Sequence, residues 1–155
     1  MILGSPEETR ALGRKLGALL RAGDFVALTG DLGAGKTVLV RGAAEGAGTS
    51  GAASSPTFAL VNLYRGTGVP LQHLDLYRLS GPAELFALGF DDLLAEPAAT
   101  LCEWAERAGA ALPADRLEIH LEWTGPQERR ASLVAHGPRG RELRDLLLQS
   151  GVTQP

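Results

Sequence analysis

Leu12, Leu16, Leu19 and Leu20 recur with the spacing of one helical face. Ser5-Pro6-Glu7-Glu8 supplies the start: a hydroxyl for the N-cap, a proline whose missing N–H is harmless in the first turn, and Glu8 three residues on to complete a capping box. Gly23 is predicted to stop this helix. The pattern then changes to a short apolar run, "FVALT" (Phe25 to Thr29), read as a strand, and after a glycine-rich turn a second amphipathic helix is predicted from about Gly35 to Glu45.

"GAGTSGAASSP" (Gly46 to Pro56) is small and polar and reads as a mobile loop. "TFALVNLYRG" and "VPLQHLDLYRL" predict two strands of a hairpin turning near Gly66-Thr67-Gly68. Gly81-Pro82 opens a short helix with Leu85, Phe86 and Leu88, and "FDDLLA" adds a helical turn. "ATLCEW" (Ala99 to Trp104) reads as a buried strand, and Ala105 to Pro113 as a connection. "RLEIHLEW" and "RRASLVAH" pair around Thr124 to Glu128, and "RELRDLLLQS" closes the chain as a helix with Leu143, Leu146 and Leu147 on one face. The expected architecture is a single α/β domain over residues 1–150, three-layered, with a mostly parallel sheet and antiparallel edge hairpins, followed by a loose tail from 151 to 155.

Composition narrows the picture. At 155 residues and 45% hydrophobic content the chain can bury one core and is too short for two ordinary domains. It contains no run of 18 apolar residues, and Glu7, Glu8 and Arg10 stand where a signal peptide would need an apolar stretch, so a soluble, cytoplasmic protein with no membrane role is expected. The single Cys102 permits no internal disulfide and reads as a small buried hydrophobe. A net charge of -3 gives no global basic field, so any role toward nucleic acid is expected to be indirect.

The candidate chemistry lies in "GDLGAGKT". Gly30, Gly35, Lys36 and Thr37 satisfy G-x-x-x-x-G-K-[ST], with a strand before and a helix after. Glycines let backbone N–H groups converge on phosphate oxygens, the helix N-terminus adds its dipole, Lys36 reaches the outer phosphates, and Thr37 offers a hydroxyl to Mg²⁺. Asp75, between Leu74 and Leu76, is a carboxylate in an otherwise apolar stretch, where charge requires a partner or a metal, and Glu103 repeats the arrangement at the end of its own strand. Glu103 could instead pair with an arginine such as Arg78 or Arg107, or cap the following helix. Thr57 in "SSPTF" is either a γ-phosphate sensor or an extended entry to a strand, and Trp104 either stacks on a base or packs. His73, His120 and His136 fall inside strand patterns without metal-ligand spacing and read as structural. A GTPase is disfavoured because Asn62, the one asparagine, is followed by Leu63 and makes no N-K-x-D element. The residues leave open a regulatory ATPase, a nucleotide-binding adaptor without turnover, and a small-molecule kinase that would use Arg129 and Arg130 as a lid-like clamp.

"GDLGAGKT", "SPTFALVNLY", "HLDLYRL" with its following Pro-Ala-Glu-Leu, and "CEWAER" occur in an order and spacing that resemble the bacterial TsaE (YjeE) family of small P-loop ATPases, over about Ser5 to Leu148. The resemblance implies ATP and Mg²⁺ as ligands and weak ATP hydrolysis stimulated by partners. It also implies a part in making threonylcarbamoyladenosine in tRNA with the TsaB and TsaD proteins, the tRNA being met only through that complex. It implies that Gly33, Ala34, Gly35, Lys36, Thr37 and Val38 wrap the phosphates, that Thr37 and Glu103 approach the metal, and that Asp75 is the essential acid. By the same resemblance Thr57 belongs to a switch-like segment, Trp104 lies near the nucleotide, and the Pro6 and Thr9 region closes over the base. Phe58, where tyrosine is common, and the Ala- and Ser-rich Gly46 to Ser54 loop depart from the family pattern.

Overall fold

The computed structural model describes residues 1–51, 53–54 and 60–149. The expectations for Thr57 and Phe58 and for the tail from 151 to 155 lie outside the described residues. Eight strands form one sheet: β1 (Ile2–Leu3), β2 (Phe25–Thr29), β3 (Ala53–Ser54), β4 (Val61–Tyr64), β5 (Leu71–Asp75), β6 (Ala99–Glu103), β7 (Arg116–Trp123) and β8 (Arg129–His136). Their order is β1-β8-β7-β2-β6-β5-β4-β3. The centre, β7-β2-β6-β5, is parallel. Antiparallel pairs flank it on both sides, β7–β8 and β8–β1 at one edge, β5–β4 and β4–β3 at the other.

This division follows from burial. "FVAL" of β2 and "ATLCE" of β6 are buried throughout, the mark of strands covered on both faces. β7 alternates, with Leu117, Ile119 and Leu121 buried and the residues between them more exposed. One face of the sheet carries α1 (Pro6–Leu19), α2 (Lys36–Gly46) and α5 (Gly137–Gln149), whose Leu12, Leu16, Leu39, Leu143 and Leu147 share a core with Val26, Leu28, Leu101 and Ile119. The other carries α3 (Pro82–Ala87), α4 (Phe90–Leu94) and a 3₁₀ stretch (Ala105–Ala111), where Leu85, Phe90, Ala105 and Ala108 pack on Phe25, Ala27, Leu74 and Cys102.

The start of α1 matches its sequence signature. Ser5 caps it by accepting from the Glu8 N–H at 3.2 Å, but the Glu8 carboxylate accepts from the Gly4 N–H, one residue before the N-cap, and not from the Ser5 N–H of the expected capping box. Its end differs from expectation: the helix stops at Leu19, because Leu20 turns extended and drops into the core at 6% exposure, while Gly23, at φ 92°, serves the turn into β2. Two more boundaries differ. α5 begins at Gly137, four residues before the predicted Arg141, because the Asp115 carboxylate accepts from the N–H groups of Arg139 and Gly140 at 3.3 and 3.0 Å. Over its described residues the segment after α2 is held at two points: the Thr49 hydroxyl donates to the Ala44 carbonyl at 2.7 Å and Thr49 bridges to Gly66, and Ala53–Ser54 pair with β4.

α1 and α2 touch backbone to backbone. A Cβ at Gly13 would lie 2.2 Å from the Leu39 carbonyl oxygen, and one at Gly17 would lie 2.0 Å from that of Ala43. In return, Cβ atoms at Gly42 and Gly46 would lie 2.1 and 2.0 Å from the carbonyl oxygens of Arg10 and Arg14. This four-residue small-residue spacing on both helices sets the start of α1 beside the start of α2 and the loop that feeds it.

Candidate functional site

The loop from Gly30 to Gly35 leaves the carboxyl end of β2 and enters α2, with Gly35 as its N-cap. Gly30, Gly33 and Gly35 have φ of 135°, 81° and 103°, values that a side chain would resist. Gly30 also packs so close to β7 that a Cβ would lie 2.3 Å from the Leu121 carbonyl oxygen. The loop therefore presents backbone amides at a helix N-terminus, the geometry that receives phosphate.

Lys36 is 4% exposed. Its ammonium donates to the Gly30 carbonyl and lies 3.6 Å from the centroid of the Trp104 ring. Burial pulls its pKa below the usual lysine value, against the opposing pull of Glu106, Glu103, Asp75 and Asp31. Trp104 takes φ 55°, the one positive φ at a non-glycine residue among the described residues. Its ring faces Tyr77 at 5.1 Å and the Arg107 guanidinium at 5.5 Å, so it is both packed and part of the site wall.

At the end of β6, Glu103 is 3% exposed. The Thr37 hydroxyl donates to its carboxylate, 3.1 Å from Oε1 and 3.4 Å from Oε2, and His73 Nε2 lies 2.5 Å from Oε2. Neither Arg78 nor Arg107 forms an ion pair with Glu103; Arg107 Nη1 donates to the Leu79 carbonyl at 3.2 Å. Asp75 aligns with Glu103 across the β5–β6 pair. It is exposed, not buried as its apolar neighbours suggest, because the strand ends there; its Oδ1 accepts from the Tyr77 N–H at 3.0 Å. Asp75 also lines a cavity of about 400 Å³ with Leu60, Val61, Asn62, Tyr77 and Arg78.

A second cavity, about 90 Å³, is lined by Pro6, Thr9, Gly33, Gly35, Val38, Gln127 and Arg129. Pro6 and Thr9, which the resemblance implies close over the base, thus line one cavity with Gly33, Gly35 and Val38. Gln127 was not expected there. Arg129 does not form a lid: its Nε and Nη2 donate to the Ala34 and Gly33 carbonyls at 3.1 and 3.2 Å, and its Nη1 to Gly125 and Glu128 at 3.1 and 2.9 Å. Arg130 lies on the exposed surface of the β7–β8 pair, 3.5 Å from Glu122. His73, read from sequence as structural, is in the site; the signal was its position two residues before Asp75, which places both on one face of β5. His120 bonds Thr29 at 2.8 Å and His136 lies 3.3 Å from Glu118, both away from this cluster. Cys102 is fully buried, and burial followed by the nearby Asp75, Glu103 and Glu106 carboxylates pushes its thiol well above the usual range.

A buried lysine and a hydroxyl–carboxylate pair converge on a glycine loop between a central parallel strand and a helix, which places the fold in the P-loop class of α/β domains. The family model "Threonylcarbamoyl adenosine biosynthesis protein TsaE" matches residues 3–131, and the chain belongs to that family. Among its relatives, the tRNA threonylcarbamoyladenosine biosynthesis protein TsaE of Bacillus subtilis (strain 168) is 38% identical over 135 residues, covering 87% of this chain and 84% of the relative. The protein of the same name from Streptomyces coelicolor is 47% identical over 116 residues, 73% of this chain and 78% of its own. The crystal structure of Bacillus subtilis YdiB superposes with a TM-score of 0.80 at 34% identity, covering 96% of this chain and 93% of that one. No helix among the described residues is long and apolar enough to cross a membrane.

Proposed function

We propose that this chain is a Mg²⁺-dependent ATP hydrolase acting in tRNA threonylcarbamoyladenosine synthesis, weak alone and stimulated by the TsaB and TsaD proteins. The observation that carries this reading is the Thr37–Glu103 pair beside Lys36 at the mouth of the glycine loop. The donor set suits Mg²⁺, which takes one or two protein oxygens and keeps the rest of its shell for phosphate and water. When bound, the ion would neutralise charge on the outer phosphates, and the Thr37 hydroxyl and Glu103 carboxylate would hold it.

The chain's own residues divide the remaining work. The amides of Gly33, Gly35, Lys36 and Thr37 orient the phosphates, Lys36 brings its cation to the outer ones, and the Asp75 carboxylate orients or deprotonates the attacking water. Pro6, Thr9 and Val38, with Gln127, form the side on which a nucleoside extends from the loop. Two observations weigh against the kinase: Arg129 is committed to backbone carbonyls, and the segment between Ser80 and Glu96 is taken up by α3 and α4, with Leu85, Phe90 and Leu93 in the core.

Phosphate release from ATP should be slow for the isolated protein and rise with TsaB and TsaD present. Unchanged turnover together with phosphoryl transfer to a small molecule would overturn the reading in favour of the kinase.

A further inference from the structure

We infer that His73 is a positioning residue for the metal-binding carboxylate: it holds Glu103 so that the oxygen facing Thr37 is presented to Mg²⁺. This rests on the metal reading above. Glu103 ends β6 with its side chain free to rotate about three bonds, yet both its oxygens are engaged from opposite sides. The Thr37 hydroxyl favours Oε1, and His73 Nε2 holds Oε2 at 2.5 Å. A carboxylate offers only lone pairs, so the imidazole is the donor in this contact. The ring cannot swing away: its side chain is 8% exposed, and the Tyr64 ring lies 6.5 Å from it.

The placement is built into the sheet. His73 and Asp75 share a face of β5, and Leu101 and Glu103 share the corresponding face of β6, with His73 in register with Leu101 and Asp75 with Glu103. His73 thus sits one pleat behind the two carboxylates, where it can reach Glu103 from below while leaving the loop side open. Outer partners of this kind fix the orientation of a ligand, and their loss typically weakens metal binding by about 10- to 100-fold.

The test is a titration of ADP into the full chain at varied Mg²⁺ and in EDTA, for wild type, His73→Leu and His73→Gln. Gln carries an amide N–H near the position of Nε2. The Leu variant should need at least about tenfold more Mg²⁺ to reach half of the metal-dependent gain in affinity, and Gln should restore it to within about threefold. ADP affinity in EDTA should be the same in all three. A midpoint in the Leu variant within about threefold of wild type, or a Gln variant as impaired as Leu, overturns the inference. If Leu does not fold, His73→Asn takes its place, since its amide falls at the Nδ1 position: a raised midpoint for Asn but not for Gln supports the inference, and equal midpoints overturn it. Wild-type protein whose ADP affinity ignores Mg²⁺ would instead overturn the metal reading itself, and this inference with it.

Discussion

Two buried carboxylates bracket the parallel centre of the sheet, and they are treated in opposite ways. Asp24, just before β2, is 6% exposed and fully occupied: Arg139 grips it through Nε and Nη2, each at 2.9 Å, and the Arg21 N–H adds a third bond at 2.7 Å. The same guanidinium donates to the Leu19 carbonyl at 2.8 Å, so one ion pair joins α1, β2 and α5. The Asp24 contact holds the Arg139 pKa above its ordinary value. Glu103, at the opposite end of the neighbouring strand, is as buried but is met by a hydroxyl and an imidazole instead of a guanidinium fork. A carboxylate whose partners are a fixed cation is closed to further chemistry, whereas one held by a hydroxyl and an imidazole keeps its charge available to a cation from outside.

Four measurements sharpen or break that contrast. Replacing Arg139 by Met strands the Asp24 charge and should cost about 3 kcal/mol of stability in urea unfolding. A loss below about 1 kcal/mol would show that water or Arg21 replaces the fork. Lys36→Ala should weaken ADP binding by about 100-fold, some 2.7 kcal/mol, without lowering the melting temperature, since it removes a desolvated ammonium. Asp75→Ala should lower turnover by about 30-fold, roughly 2 kcal/mol, with ADP affinity within about threefold of wild type; equal losses of binding in both variants would make Asp75 structural. The smallest effect is expected for Glu103→Gln in the absence of metal, where urea unfolding should change by no more than about 1 kcal/mol, because neither partner of Glu103 is a fixed cation. A loss as large as that of the Arg139 variant would erase the distinction between the two carboxylates.

Much of this was legible in the chain because the signals are local. The Ser5 cap, the β2 run, the glycine loop and the two edge hairpins each declare themselves within a short stretch of chain, and so did Lys36, Thr37, Asp75 and Glu103. What escaped depends on partners distant in sequence. The first turn of α5 is set by Asp115, the end of α1 by the core that receives Leu20, and the role of Arg129 by carbonyls on a loop 95 residues away. Asp75 looked buried because its neighbours are apolar; only the strand's end reveals it as exposed. His73 was missed because a histidine inside a strand pattern has no metal spacing, and its partner Glu103 lies 30 residues on, across a parallel pair whose register the sequence does not state.

The four glycines between α1 and α2 carry one more consequence. Helices whose backbones touch cannot part gradually, since the first opening forfeits the whole seam at once. The amide protons of the two helices should therefore exchange with solvent as one cooperative unit. Pro6 and Thr9 at the start of α1 and Lys36 and Thr37 at the start of α2, side by side at the same end of that unit, would become competent or incompetent together.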